Sequence, residues 1–474
     1  MSYEHILLGA IFIPTLGAFI LPLAARVSLR LRNLLAFGFI LSAFILSLKL
    51  LPVVLSGEQI VFSRFLGLGV NFKFVADGLA VFMALVSSFV STIIVFYSLG
   101  YISHYENQTE YYSMVVLFLG AMMGLIFSAN LILMYVFWEI TAITSWRLIG
   151  FFRERIYVVK ADKAFLVTVF GALLMLLGFV SIYQNTGSFN FMPYVLPNIV
   201  VVLILAGIFS KSATLPFHTW LPDAGVAPSP VTALLHAAVL VKIGVYVFAR
   251  FFLATYTLDQ IWHTVVPVIA AVSSIVSAGA ALRETDLKRI IAYSTVSQIG
   301  FIFFGLAIGN DMAVAGGLLY ILMHGIAKGG LFLCAGIIEQ NTHTKDITKL
   351  GGLIKTMPVT AIAFLFCALS VMGIPPFGGF FSKYLVFAGA IKSGHLWISG
   401  FFLVAAFMTI LYLFRVFNMV FLGSISHYDS KEKSFTMVLS VAILGFLSLV
   451  SGILIMWPAN FVSVIVRQLP GIIR

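Results

Sequence analysis

Seven ionisable side chains lie inside long apolar runs, where a charge is costly. Glu139 stands in Leu131-Ile-Leu-Met-Tyr-Val-Phe-Trp-Glu-Ile-Thr, and Lys211 follows Val201-Val-Leu-Ile-Leu-Ala-Gly-Ile-Phe-Ser. His236 and Lys242 share Ala233-Leu-Leu-His-Ala-Ala-Val-Leu-Val-Lys-Ile-Gly, and His324 and Lys328 share Leu322-Met-His-Gly-Ile-Ala-Lys-Gly-Gly. Lys383 follows Pro375-Pro-Phe-Gly-Gly-Phe-Phe-Ser. At a membrane helix centre each costs at least ~2.5–3.5 kcal/mol. One such residue reads as a snorkelling or structurally paired charge; seven together do not. His324 and Lys328, four apart, share a helix face. His236 and Lys242, six apart, would flank one face of a regular helix and border the same cavity. A buried lysine changes protonation in answer to neighbouring charges. One Glu among several Lys and His therefore reads as a proton relay rather than a bond-breaking site.

The elements that position these residues follow from composition. The chain has 474 residues, 61% hydrophobic and only 9% charged, against a usual charged share of roughly 25%. Mean hydropathy is +1.10. A soluble domain needs a charged skin this chain lacks, and disorder, collagen and coiled coil need more polar or more periodic sequence. The fold class is an all-α polytopic membrane protein, since the apolar runs are continuous rather than alternating. Runs of ~20 apolar residues fall near 5–25, 33–55, 74–100, 112–129, 131–151, 162–184, 196–215, 228–252, 262–282, 289–309, 312–338, 357–381, 397–422 and 435–458. That makes about fourteen transmembrane segments in one domain, 1–474, with 56–73 expected as an extracytoplasmic loop. Met-Ser-Tyr-Glu-His at the start lacks a basic n-region, so the first run is expected to be a retained helix. Cys334 and Cys367 stand in apolar runs without a CxxC and read as packing residues.

The net charge of +11 is explained by loop bias rather than nucleic acid, because the cations form no patch interleaved with aromatics. Loops after odd-numbered segments carry Arg26, Arg30, Arg32, Arg153, Arg155, Lys160, Lys163, Arg283, Lys288, Arg289, Lys345, Lys349, Lys355, Lys431 and Lys433. The other side carries Arg64, Lys73, Arg250, Lys392, Arg467 and Arg474. Fifteen against six places the first set in the cytoplasm and both termini outside.

Two segments are interrupted, the seventh at Pro216 and Pro222 and the twelfth at Pro375 and Pro376. Proline frees a carbonyl, which a membrane tolerates only where it lines protein or water. Lys211 and Lys383, one beside each break, are 172 residues apart, and Lys242 and Arg415 are 173 apart. The breaks are five segments apart, an odd number, which is the pattern of an inverted-topology repeat. The expected organisation is 1–110, three N-terminal helices; 111–255, a first repeat of segments four to eight; 256–425, a second of nine to thirteen; and 426–474, segment fourteen and the C-terminus.

Several strings resemble the antiporter-like membrane subunits of respiratory complex I, Mrp-type antiporters and energy-converting hydrogenases. They are Phe137-Trp-Glu-Ile, Lys211-Ser-Ala-Thr-Leu-Pro-Phe-His-Thr-Trp-Leu-Pro-Asp-Ala, Leu235-His-Ala-Ala-Val-Leu-Val-Lys-Ile-Gly, Asp286-Leu-Lys-Arg-Ile-Ile-Ala-Tyr-Ser-Thr-Val-Ser-Gln-Ile-Gly, Gly373-Ile-Pro-Pro-Phe-Gly-Gly-Phe-Phe-Ser-Lys and, more loosely, His324-Gly-Ile-Ala-Lys-Gly-Gly. The resemblance covers most of 75–385 and implies fourteen helices with two inverted five-helix repeats. It implies a Glu139–Lys211 charge pair in a first half-channel, a link through His236 and Lys242, and passage through His324, Lys328 and Lys383 to the outside. It sets Asp286 and Lys288 at the cytoplasmic end of segment ten and makes His218 a secondary candidate. Arg147 departs from the apolar residue the family usually has there; it either competes with Lys211 for Glu139 or snorkels to the cytoplasmic side, the latter being the expectation. The chain stops soon after segment fourteen, without the lateral helix of the largest antiporter-like member of complex I, so that member is not expected. The sixth segment, from Asp162, looks closer to Mrp and hydrogenase-type members.

The function expected is an antiporter-like subunit of a larger prokaryotic membrane complex that moves protons, or exchanges Na⁺ for H⁺, along a Glu/Lys/His axis. No redox cofactor or metal is expected in the chain, which carries no catalytic chemistry of its own, and redox energy, if used, comes from NADH–quinone or hydrogenase-type partners. Partners are membrane subunits and lipid. The alternatives are a subunit of an inorganic-carbon uptake complex and a stand-alone transporter of a small solute.

Overall fold

A computed structural model describes residues 2–65, 71–427 and 429–472; Arg474, one of the six cations expected on the outer side, lies outside them. The helices run in order α1 (Tyr3–Val27), α2 (Leu29–Leu55), α3 (Gly78–Tyr101), α4 (Gln108–Phe127), α5 (Leu131–Ile149), α6 (Arg155–Thr186) and α7 (Asn198–Lys211). Short α8 (Trp220–Asp223) and α9 (Ser229–Ala233) lead into α10 (Leu240–Phe252), followed by α11 (Trp262–Arg283), α12 (Leu287–Ile308) and α13 (Asp311–Thr342). The last are α14 (Pro358–Met372), α15 (Gly378–Lys392), α16 (Leu396–Phe421), α17 (Phe435–Ile453) and α18 (Met456–Gln468). Among the described residues twelve helical stretches are long and apolar enough to cross a membrane, and α7 and α14 are shorter apolar helices. Those two occupy the seventh and twelfth expected segments, where the chain breaks.

Three expectations change. Residues 56–73 are not a plain loop: β1 (Ile60–Phe65) pairs antiparallel with β2 (Asn71–Ala76), Ile60 opposite Ala76 and Phe62 opposite Phe74. The hairpin qualifies the all-α class and delays the third helix to Gly78. In β2 the apolar Phe72, Phe74 and Ala76 take alternate positions, as suits a half-buried strand, whereas β1 opens on the continuous run Ile60-Val-Phe. The twelfth segment, broken as expected where Gly373 ends α14 with a left-handed φ of 81°, runs beyond residue 381, because α15 continues to Lys392. The chain after residue 458 continues in α18, whose Phe461 packs on Phe82 of α3 at 5.8 Å.

Two ends of the bundle are distinguished. A cavity at the hairpin end is lined by residues including Lys73, Asp77, Arg250, Tyr256 and Gly471. There Arg250, on α10, grips Asp77 through two hydrogen bonds of 2.5 and 2.7 Å, while Asp77 also caps α3 by accepting from the Ala80 N–H. The opposite end carries the loops rich in cations.

One local motif occurs twice. Thr186 Oγ1 donates to the Ile182 carbonyl, the Leu131 N–H donates to the Phe189 carbonyl, and Asn130, capping α5, bridges to Asn190. At an offset of 156 residues, Thr342 Oγ1 donates to the Ile338 carbonyl, the Leu287 N–H to the Lys345 carbonyl, and Asp286, capping α12, bridges to Asp346. The first clasp sits at the hairpin end and the second at the cation-rich end. Each fixes the start of one helix to the end of a 32-residue helix, α6 or α13.

Candidate functional site

α13 forms the centre of the site. Its residues at four-residue spacing, Tyr320, His324, Lys328 and Phe332, lie on one face, and every one is buried. His324 has both ring nitrogens buried and without a hydrogen-bond partner, and the charges of Lys242, Lys328, His236 and Lys383 all act on it. His236 packs against Phe332 with centroids 4.4 Å apart and the rings tilted by 38°, also with both nitrogens unpartnered. Lys242 Nζ donates to the Ile321 carbonyl at 2.6 Å. Gly325 makes room for that ammonium, since a Cβ there would stand 3.0 Å from Lys242 Nζ.

The path between His236 and Lys242 is not a regular helix. Leu234–Ala238 winds as a π-helix, closed by the Val239 N–H on the Leu234 carbonyl. Such wide turns concentrate at functional sites. The extra residue resets the register assumed from sequence by ~100°. His236 and Lys242 consequently meet α13 at Phe332 and Ile321, eleven residues or ~16 Å apart along the helix, instead of flanking one cavity.

At the first break, Lys211 is the last residue of α7 and is fully buried. Its Nζ donates to the Trp138 carbonyl at 3.2 Å and stands 5.2 Å from the Trp138 ring. Trp220 Nε1 caps the helix end by donating to the Ser210 carbonyl. Among the described residues no ion pair joins Lys211 to Glu139, although the Glu139 charge acts on Lys211. Glu139 Oε1 is buried without a partner. His218, seven residues beyond Lys211, keeps Nδ1 buried and unpartnered.

At the second break, Lys383 Nζ donates to the Val371 carbonyl, in the last turn of α14, at 2.7 Å. Its ammonium also stands 4.6 Å from the Phe301 ring and 5.4 Å from the Tyr320 ring. α14 and α15 approach closely at the break, where a Cβ on Gly379 would collide with the Ser370 carbonyl.

The remaining candidates divide. Lys288 is buried and pairs with Glu339 at 2.8 Å while donating to the Ala227 carbonyl. This pair borders a cavity of about 560 Å³ at the cation-rich end. Asp286 caps α12 and pairs with Lys345. Arg415 donates to the Ala281, Leu282 and Glu284 carbonyls and so closes the C-terminal end of α11, as a cation at a helix C-terminus does. Arg147 does not meet Glu139: it reaches the cation-rich end, where it pairs with Glu110 in the first turn of α4, which Arg153 also holds.

Sequence reasoning missed five buried polar residues beyond Lys328. Lys328 Nζ donates to Ser294 Oγ at 2.6 Å, and Ser294 bonds Tyr412 at 2.7 Å. Tyr412 lies 3.3 Å from Thr409 Oγ1, to which Gln298 Nε2 donates at 3.1 Å. Tyr320 in turn donates to Gln298 Oε1. Ser294 and Gln298 stand in the string that begins at Asp286, four apart on one face of α12; nothing in the sequence of α16 marked Thr409 and Tyr412.

Buried amines and imidazoles threaded through a many-helix membrane bundle, two of them at broken helices, define an antiporter-like membrane protein. A family model described as NADH:quinone oxidoreductase/Mrp antiporter, transmembrane, matches residues 128–409, and one for the N-terminus of complex I chain 5 matches 63–112. The chain belongs to this NADH:quinone oxidoreductase/Mrp antiporter family. It is 35% identical over 432 residues to an Na⁺/H⁺ antiporter subunit of Alkalihalophilus pseudofirmus, covering 81% of this chain and 53% of that one. It is 33% identical over 500 residues to an Na⁺/H⁺ antiporter subunit of Staphylococcus aureus, covering 96% and 61%. The chain thus spans 53–61% of the length of these curated relatives. The fold matches a chain of the Mrp complex from Dietzia sp. DQ12-45-1b with a TM-score of 0.91 at 23% identity, covering 99% of this chain and 98% of that one. It also matches a chain of an archaeal membrane-bound sulfane sulfur reductase at 0.88 and 23%, covering 98% of each.

Proposed function

We propose that this chain is the ion-translocating subunit of a multisubunit membrane complex, moving protons, or exchanging Na⁺ for H⁺, along Glu139, Lys211, His236, Lys242, His324, Lys328 and Lys383. The observation that carries this reading is His324: fully buried, unpartnered at both nitrogens, one turn from Lys328 on α13 and one turn from Ile321, whose carbonyl holds the Lys242 ammonium. A proton arriving on any of them changes the affinity of the others. The relatives named as Na⁺/H⁺ antiporter subunits support the ion class, and Lys288 with Glu339 provides the approach from the cation-rich end.

The two half-paths belong to two inverted five-helix repeats, 111–255 and 256–425. The paired clasps at a 156-residue offset, on opposite ends, support this, as does the matching length of α6 and α13. The cation-rich end faces the cytoplasm of a prokaryotic cell, and both termini lie outside. Cysteines introduced at residues 158 and 190 report on this: an impermeant external reagent is expected to label 190 and spare 158, and the converse pattern reverses the orientation.

The axis itself is tested with Lys328→Ala. Within the assembled complex in sealed vesicles, Na⁺-driven pH change is expected to fall to background while the subunits still co-purify. Wild-type exchange by that variant removes the axis.

A further inference from the structure

Between Lys328 and Lys383 the buried polar residues form two relays with one amide between them. On one side run the Lys328 ammonium and the hydroxyls of Ser294, Tyr412 and Thr409, with successive separations of 2.6, 2.7 and 3.3 Å. On the other stands Tyr320, whose ring lies 5.4 Å from Lys383 Nζ. Gln298 spans the gap, holding Thr409 with its nitrogen and Tyr320 with its oxygen. The side chains of Ser294, Gln298, Tyr320, Thr409 and Tyr412 come from three helices, α12, α13 and α16, and all are fully buried.

A hydroxyl takes a proton on its oxygen and releases its own. Tyr412 donates to Ser294 and lies within reach of Thr409. Once Tyr412 turns its proton to Thr409, a proton leaving Lys328 passes to Ser294 as the Ser294 proton passes to Tyr412 and the Tyr412 proton to Thr409, and the Thr409 proton must leave toward the Gln298 position. An amide has no such option. To pass a proton it must gain one on the carbonyl oxygen and lose one from nitrogen, leaving an imidic acid in place of the amide. This holds for either orientation of the amide group.

We propose that Gln298 is a valve in this pathway: while it bridges Thr409 and Tyr320, its amide keeps protons on the Lys328 side from passing freely to the Lys383 side. The inference rests on the proposed ion axis and adds to it the element that prevents leak. Transport then requires the Gln298 side chain to leave the bridge, which couples proton passage to movement among α12, α13 and α16.

The test uses the assembled complex in sealed vesicles carrying an imposed pH gradient without Na⁺. Gln298→Glu keeps the size of the side chain and replaces the amide with a group that accepts and releases protons. It is expected to speed decay of the gradient several-fold, and adding Lys328→Ala is expected to remove that leak. Gln298→Leu, which fills the site without a titratable group, is expected to stay as tight as wild type. A tight Gln298→Glu variant, or a Gln298→Leu variant that leaks as fast, overturns the valve. If Gln298→Glu does not assemble, Gln298→His carries the same expectations. Loss of exchange in Lys328→Ala together with a tight Gln298→Glu variant overturns the valve alone, whereas wild-type exchange in Lys328→Ala overturns the axis beneath it.

Discussion

Lys211→Ala is expected to abolish ion exchange in sealed vesicles while the complex still assembles, and Glu139→Gln is expected to do the same. Lys211 ends α7 where the helix breaks, and its ammonium has one carbonyl, that of Trp138, and one aromatic face as neighbours. A cation–π contact of this kind contributes ~0.5–2 kcal/mol, well short of the several kcal/mol that desolvating an ammonium costs. The charge state of Lys211 is therefore open to its surroundings, and Glu139 is the carboxylate acting on it. Glu139 keeps Oε1 buried and unpartnered, while its side chain also meets the Tyr135 hydroxyl. Two groups held near each other without a closed ion pair can exchange a proton for a small change in geometry; a tight salt bridge would hold both charges fixed. Lys211→Ala takes away the amine at the break, and Glu139→Gln takes away the acidic member of the proposed pair. Near-normal exchange in either variant, with assembly verified by co-purification, removes the pair from the mechanism.

The membrane class and the placement of nearly every helix were legible because continuous apolar length is a strong one-dimensional signal. The broken helices were legible too, since Pro216 and Pro375-Pro376 carry their effect in their own backbone. The pairing of β1 with β2 left little trace in the sequence, because Ile60-Val-Phe is a continuous apolar run and Val75 interrupts the alternation of Phe72, Phe74 and Ala76. The site divides in the same way. A charge inside an apolar run announces itself, which is how Glu139, Lys211, Lys328 and Lys383 were found. Its partners do not. Arg147 meets Glu110 from 37 residues away, and Lys288 meets Glu339 across a helix–helix contact. Tyr412 and Thr409 are ordinary polar residues on a lipid-length helix until α16 is laid beside α12. The π-helix at His236 had no sequence signal, because its residues are equally at home in an α-helix. Pairing across the bundle is a property of packing, and spacing along one chain does not encode it.

Lys383→Arg is expected to assemble normally and to lose most translocation. Lys383 stands just past the second break, with its Nζ on the Val371 carbonyl and close to the rings of Phe301 and Tyr320. A carbonyl in the last turn of a helix carries part of the negative end of the helix dipole, so this position holds a cation well. The aromatic faces add to that and suit a guanidinium as much as an ammonium. A residue needed only as a fixed positive charge would therefore tolerate arginine. A residue that releases protons would not, since an arginine pKa above ~12 keeps the guanidinium charged. The two roles predict opposite results from one substitution. Lys383→Gln, which removes the charge while keeping a polar chain of similar length, is expected to be inactive under either role and so serves as the reference for complete loss. Exchange by the arginine variant near that reference identifies Lys383 as the proton-releasing group of the second half-path, facing Tyr320 on the same side of the Gln298 bridge. Exchange near wild type reduces Lys383 to a fixed charge that closes the end of α14.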